Sequence, residues 1–113
     1  MEIEQRREGD ILVAKILNDR LDARGADDFR KAMSGFVSDG NRRIILDISA
    51  VDFVDSSGLG ALVSALKLMG GDGDILICGA PDPVMRMFKL TRMNKVFRIF
   101  EEQQDAVRAL SVE

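Results

Sequence analysis

The segment Ile44-Ile45-Leu46-Asp47-Ile48-Ser49-Ala50-Val51-Asp52-Phe53-Val54-Asp55-Ser56-Ser57-Gly58-Leu59-Gly60 decides the fold. It opens on a nearly unbroken apolar run, Ile44 to Ile48, the pattern of a central strand covered on both faces. After a short loop the period changes. Leu59, Leu62, Val63, Leu66 and Met69 recur at helical spacing and predict a helix over 57–69, stopped by Gly70-Gly71. A strand handing on to a helix in this way is the building unit of a parallel α/β sheet.

Working outward, residues 1–7 read as a polar edge strand, Glu8-Gly9-Asp10 as a turn, and Ile11 to Leu17 as a more apolar strand completing a hairpin. Asn18-Asp19-Arg20 breaks that strand. Ala26, Phe29, Met33, Phe36 and Val37 then form one helical stripe, with Asp22 as N-cap and Gly40 as C-cap glycine. Downstream, Ile75 to Cys78 is another buried strand, ended by Gly79. Asp82-Pro83 reads as an N-cap followed by proline at the first helical position, opening a short helix with Val84, Met87, Phe88 and Thr91 on one side. Val96 to Phe100 is a last strand, and 101–110 a closing helix with Ala106, Val107 and Leu110 inward. The expectation is a single α/β domain over 1–113, a mixed, mostly parallel sheet with an N-terminal β-hairpin and about four helices.

Composition excludes several kinds of chemistry. The chain has 113 residues, 46% hydrophobic, with six Phe and six Met but no Trp or Tyr. No apolar run approaches the roughly 18 residues of a membrane span, and no basic-then-apolar leader opens the chain. A soluble, cytoplasmic protein without membrane insertion is expected. The absence of histidine removes the Ser-His-Asp triad, the Cys-His pair and imidazole zinc sites. One cysteine, Cys78, allows neither an internal disulfide nor a thiolate metal cage and reads as an inert core residue. A net charge of −3 argues against nucleic acid as a partner, with Arg6-Arg7 and Arg42-Arg43 decorating solvated strand ends. Gly70-Gly71-Asp72-Gly73-Asp74 lacks the Lys-Ser/Thr of a phosphate loop and the spacing of a calcium loop, so it reads as a helix-to-strand turn. No metal or cofactor is expected. Met85, Met87 and Met93 either fill core gaps or line a partner surface.

The candidate site is the junction of loop and second helix. Ser56 and Ser57 fall at its N-cap or first position, where free backbone amides and the positive end of the helix dipole gather. A phosphate on such a hydroxyl meets donors already in place. An ordinary capping serine fits the same spacing, so both readings stay open. One side of the helix carries Ser57, Gly60, Ala61, Ser64 and Leu68, a small uncharged face, despite a cost of about 1 kcal/mol for each glycine in a helix. That face suits a closely docked partner, or packing beneath another element of the same fold. A hydrolase using Ser57 as nucleophile lacks the G-x-S-x-G elbow and a histidine base.

Arg42-Arg43-Ile44-Ile45-Leu46-Asp47-Ile48 followed by Phe53-Val54-Asp55-Ser56-Ser57-Gly58-Leu59-Gly60 resembles the signature of STAS domains, and within them the bacterial anti-sigma factor antagonists. The resemblance extends to Arg20-Leu21-Asp22-Ala23, Cys78-Gly79-Ala80 and Val96-Phe97-Arg98-Ile99-Phe100. Asp19 departs from it, since the family more often has glycine there; Asp tolerates a left-handed backbone, which would preserve the turn. The resemblance implies a non-enzymatic protein whose unphosphorylated form binds an anti-sigma factor with serine kinase activity and so releases a sigma factor. Phosphorylation at Ser57, with Ser56 as the second choice, would end binding, and a serine phosphatase would restore it. The implied partner-binding residues are Asp22, Asp55, Ser56, Ser57, Gly58, Gly60, Ala61, Ser64 and Leu68. The alternative within the family is a docking subunit of a stress-sensing assembly or a lipid-transport ATPase, with no switching.

Overall fold

The computed structural model describes residues 1–112. The strands are β1 (Ile3–Glu8), β2 (Ile11–Ile16), β3 (Arg20–Leu21), β4 (Arg43–Asp47), β5 (Phe53–Val54), β6 (Asp74–Cys78) and β7 (Ile99–Phe100). The helices are α1 (Ala23–Ser38), α2 (Ser56–Met69), α3 (Asp82–Leu90) and α4 (Gln103–Ser111). A five-stranded sheet runs β1-β2-β4-β6-β7, with β1 antiparallel to β2 and every other pair parallel. The α/β architecture and the opening hairpin are those expected.

Alternation explains why the central strands read as unbroken apolar runs. Leu12, Ala14, Ile16, Ile44, Leu46, Ile75 and Ile77 face α1, α2 and α3, in a core that holds Phe29, Met33, Leu62 and Phe88. Ile11, Val13, Ile45, Leu76 and Cys78 face the other way, onto Ala106, Val107 and Leu110 of α4. Both faces are covered, so neither parity can be polar. Each large side chain fully buried here contributes about 1.5–3 kcal/mol.

Several boundaries differ from expectation. Arg20-Leu21, within and just after the presumed strand breaker, pairs in parallel with Phe53-Val54 to make a separate two-stranded sheet. Asp82 is the first residue of α3, not its N-cap; Pro81 holds that position and Pro83 sits one place further in. Met87 is half-buried. The final strand is only Ile99-Phe100, because Met93–Lys95 makes a tight 3-10 turn and Val96 ends it. In α1 Asp22 is the N-cap as expected, but the C-cap is Asp39, and Gly40, one place further on, takes φ +97. Asp19 does not use a left-handed backbone, since Arg92 is the one non-glycine residue with positive φ among those described. Instead the Asp19 carbonyl accepts the Asp52 amide at 2.9 Å, which ties the turn down. Arg92, following α3, has φ 60 and ψ 20. A side chain in that region costs about 1 kcal/mol.

Cys78 lies in β6 facing α4, and burial, then the charges of Asp47 and Glu102, push its thiol up to about 12. It stays protonated at physiological pH. A thiol reagent at about pH 8 should therefore leave the folded protein unlabelled and react only on unfolding; fast labelling of the native state would contradict the burial.

Candidate functional site

Two helices start side by side at one end of the molecule because two short strands deliver them there. In the parallel register, Arg20 lies opposite Phe53 and Leu21 opposite Val54. The next residues on each side, Asp22 and Asp55, are the N-caps of α1 and α2. Asp22 Oδ1 accepts the Arg24 amide at 3.1 Å, and Asp55 Oδ1 accepts the Gly58 amide at 3.0 Å. The capping side chain of α2 is thus Asp55. Ser56 and Ser57 are the first two helical residues, so neither serine is the cap. Their amides belong to the first turn, which has no intrahelical acceptors.

Arg20 braces this platform. Its guanidinium lies 4.1 Å from the centroid of the Phe53 ring, and its Nε donates to Asp22 Oδ2 at 3.1 Å. The hydrogen bond from Arg20 is the largest influence on Asp22 and holds its carboxyl below the usual range, against an opposing effect of burial. Asp22 remains an anion beside the second helix start. In the sequence Arg20 reads as part of a breaker and of the family-like Arg20-Leu21-Asp22-Ala23 segment, with no sign of this bracing role, because a two-residue strand carries no readable alternation.

The serine pair is divided by exposure: Ser56 is exposed and Ser57 half-buried. Gly58 is buried, and a Cβ on it would stand 2.1 Å from the Leu21 carbonyl oxygen and 3.0 Å from Val54 Cγ1. That backbone approach holds the start of α2 against β3, with Ser57 beside it.

The small face of α2 splits in two. Ala61 is 0% exposed and, with Gly58, Leu62, Ala65 and Met69, forms the buried side, where α2 packs on α1. The buried face is thus rotated from the one centred on Leu59, Val63 and Leu66, which are only partly buried. Small residues let the two helices approach closely. As members of a partner surface, Gly58 and Ala61 are corrected: both are interior. Ala61→Arg would place a charged side chain into the helix contact and report on stability, not on docking. Gly60, Ser64 and Leu68 remain on the outer side, where Ser64, Ala65 and Leu68 join Arg30 and Ser34 of α1 around a groove of about 230 Å³. Leu68 is 49% exposed.

The loop leading into the site is tied to the rest of the molecule through Asp47. This buried carboxylate ends β4, accepts the Ser49 amide at 2.9 Å and accepts Gln103 Nε2 of α4 at 2.9 Å.

A profile of the STAS domain matches residues 2–106. The chain belongs to the STAS domain family. Among its relatives is the anti-sigma F factor antagonist of Paenibacillus polymyxa, 26% identical over 114 residues, which span 99% of this chain and 97% of the relative. The crystal structure of an anti-sigma factor antagonist from Mycobacterium paratuberculosis superposes with a TM-score of 0.87 at 22% identity, covering 96% of this chain and 92% of that one. The phosphorylated form of the Bacillus cell fate determinant SpoIIAA has the same fold, with a TM-score of 0.70 at 18% identity over 96% of this STAS chain and 99% of its own.

Proposed function

We propose that this STAS protein is an anti-sigma factor antagonist whose unmodified form binds an anti-sigma factor with serine kinase activity, and that phosphorylation of Ser57 ends the interaction. The observation that carries the proposal is the placement of Ser57: second residue of α2, half-exposed, next to a buried glycine, with Asp55 already serving as the cap. Its hydroxyl is therefore not needed for capping. The Paenibacillus polymyxa relative named an anti-sigma F factor antagonist, aligned over 99% of this chain, and the phosphorylated SpoIIAA fold support the reading.

The mechanism follows from charge and space. In the unmodified state the platform presents two carboxylates, Asp22 and Asp55, beside small side chains, a shape a cationic partner surface can approach closely. ATP belongs to the partner kinase; its γ-phosphoryl group passes to Ser57 Oγ, and ADP leaves. The product adds about −1.5 to −2 charges and three acceptor oxygens next to Asp55. First-turn amides and the helix dipole can hold the phosphate without refolding. A docked surface would then meet both bulk and like charge. A phosphatase, removing the group, would restore binding.

Phosphopeptide mapping after incubation with such a kinase and ATP tests the acceptor. Wild type and Ser56→Ala are expected to take one phosphate at residue 57, and Ser57→Ala none; phosphate on Ser56 alone would overturn the assignment. The outer side of α2 is expected to belong to the same surface. Leu68→Glu should weaken kinase binding about tenfold, the cost of spoiling one exposed apolar contact, with Tm nearly unchanged. Unchanged affinity would remove Leu68 from the interface.

A further inference from the structure

The segment from Pro83 to Phe100, whose helix α3 packs on β5, holds five of the chain's 16 basic side chains and none of its 19 acidic ones, and is bounded by Asp82 before it and Glu101-Glu102 after it. Arg98 is paired with Asp74 at 2.7 Å. The other four, Arg86, Lys89, Arg92 and Lys95, are all exposed. Elsewhere some arginines answer carboxylates close by in the chain, as Arg6 does Glu8, Arg30 Asp27 and Arg108 Asp105, while Arg7 and Arg42 donate to an amide and a carbonyl oxygen. Among the described residues these four form no ion pair, although Asp82 borders the same depression as Arg86 and Lys89, in a protein whose net charge is −3.

Two exposed apolar side chains lie among the cations. Leu90 is 79% exposed and Val96 47%. Between them Arg92 occupies a left-handed backbone position that glycine would fill without strain. A long cationic side chain kept at a strained position is a pointer to function.

We propose that α3 and the turn after it, residues 86–96, form a docking surface for an acidic protein, whose carboxylates flank apolar side chains that pack against Leu90. Charge complementarity selects an anionic partner, and three observations favour protein among the anionic surfaces available. The apolar side of α3, Val84 and Phe88, is buried in the core, so the helix has no free face to lay into a bilayer. Both aromatic residues between 84 and 98, Phe88 and Phe97, are buried and offer no ring for base stacking. An exposed leucine with Arg86, Lys89 and Arg92 within four residues of it in the chain matches an apolar anchor among polar neighbours, the usual anatomy of a small protein interface. This surface does not depend on the Ser57 reading.

The test is an amide chemical-shift titration of the full chain with a synthetic helical peptide that carries leucines ringed by glutamates. Saturable shifts are expected at residues 86–98, with affinity falling at least about tenfold as salt rises from about 50 to about 300 mM. The same peptide with lysine for glutamate should not bind. Lys89→Glu/Lys95→Glu should abolish binding, and Leu90→Ser should weaken it about tenfold. Arg92→Gly separates docking from structure: it should raise Tm by a few degrees, by relieving the left-handed backbone, while weakening the peptide. The proposal is overturned if the glutamate peptide does not bind or shifts residues elsewhere. It is equally overturned if the lysine peptide binds as well, or if phosphatidylglycerol vesicles or a DNA duplex engage these residues while the glutamate peptide does not.

Discussion

Gly58→Ala is expected to destabilise the protein by about 3 kcal/mol and to lower Tm by more than about 10 °C. The added Cβ would stand 2.1 Å from the Leu21 carbonyl oxygen, a backbone atom that cannot rotate away. Relief requires β3 or the start of α2 to move, and β3 is held by its pairing with β5 and by the Asp55 amide, 3.4 Å from that carbonyl. Gly60→Ala, two residues on, is the control. Its Cβ would meet only Arg30 Nη2, at 3.8 Å, and a helical alanine is worth up to about 1 kcal/mol over glycine. Thermal unfolding of the pair should therefore shift in opposite directions. Equal, small shifts would mean that the close approach of α2 to β3 is not a feature of the fold.

This contrast marks where the sequence is readable. The hairpin, the two-faced central strands, the α1 cap and the inward side of α4 follow from periodicity and from Gly, Asp and Pro signals that act locally. The two-residue strands β3 and β5 do not, because alternation needs more residues than they have. Nor does the orientation of α2. Periodicity alone directs Leu59, Val63 and Leu66 inward, but the neighbouring α1 needs small residues at the contact, and Ala61 and Ala65 go there instead. The same tertiary demand took Gly58 and Ala61 out of the candidate surface. The family resemblance found Ser57; only the backbone shows that Asp55 is the cap and that a second capping carboxylate, Asp22, stands in the neighbouring register position. Arg86 to Lys95 was passed over because the basic residues are spaced among Met, Phe and Leu, and their common exposure is visible only in three dimensions.

Ser57→Asp is expected to leave the fold intact and weaken binding to the anti-sigma factor kinase more than about a hundredfold, close to 3 kcal/mol. Aspartate at the second helical position is favourable for the helix itself, since a negative charge near the N-terminus interacts well with the dipole. The fold therefore has no reason to fail, and any loss of binding reports on the interface. The new carboxylate stands two residues from Asp55, so a partner must desolvate two neighbouring anions to dock, with the Asp22 cap close by. Ser57→Ala removes a hydroxyl that caps nothing and should bind as wild type does. Circular dichroism and Tm of the two variants should match wild type within a few degrees; collapse of Ser57→Asp would instead assign Ser57 a structural role.

The most direct test uses wild type, Ser57→Ala and Ser57→Asp as baits in parallel pull-downs from the source organism's lysate, with bound proteins and bait phosphopeptides read by mass spectrometry. The account predicts that wild type and Ser57→Ala capture the same serine kinase, that Ser57→Asp loses it, and that phosphate on the wild-type bait maps to Ser57. Retention of one partner by all three baits, with Ser57 unmodified, would contradict it and make the protein a constitutive docking subunit.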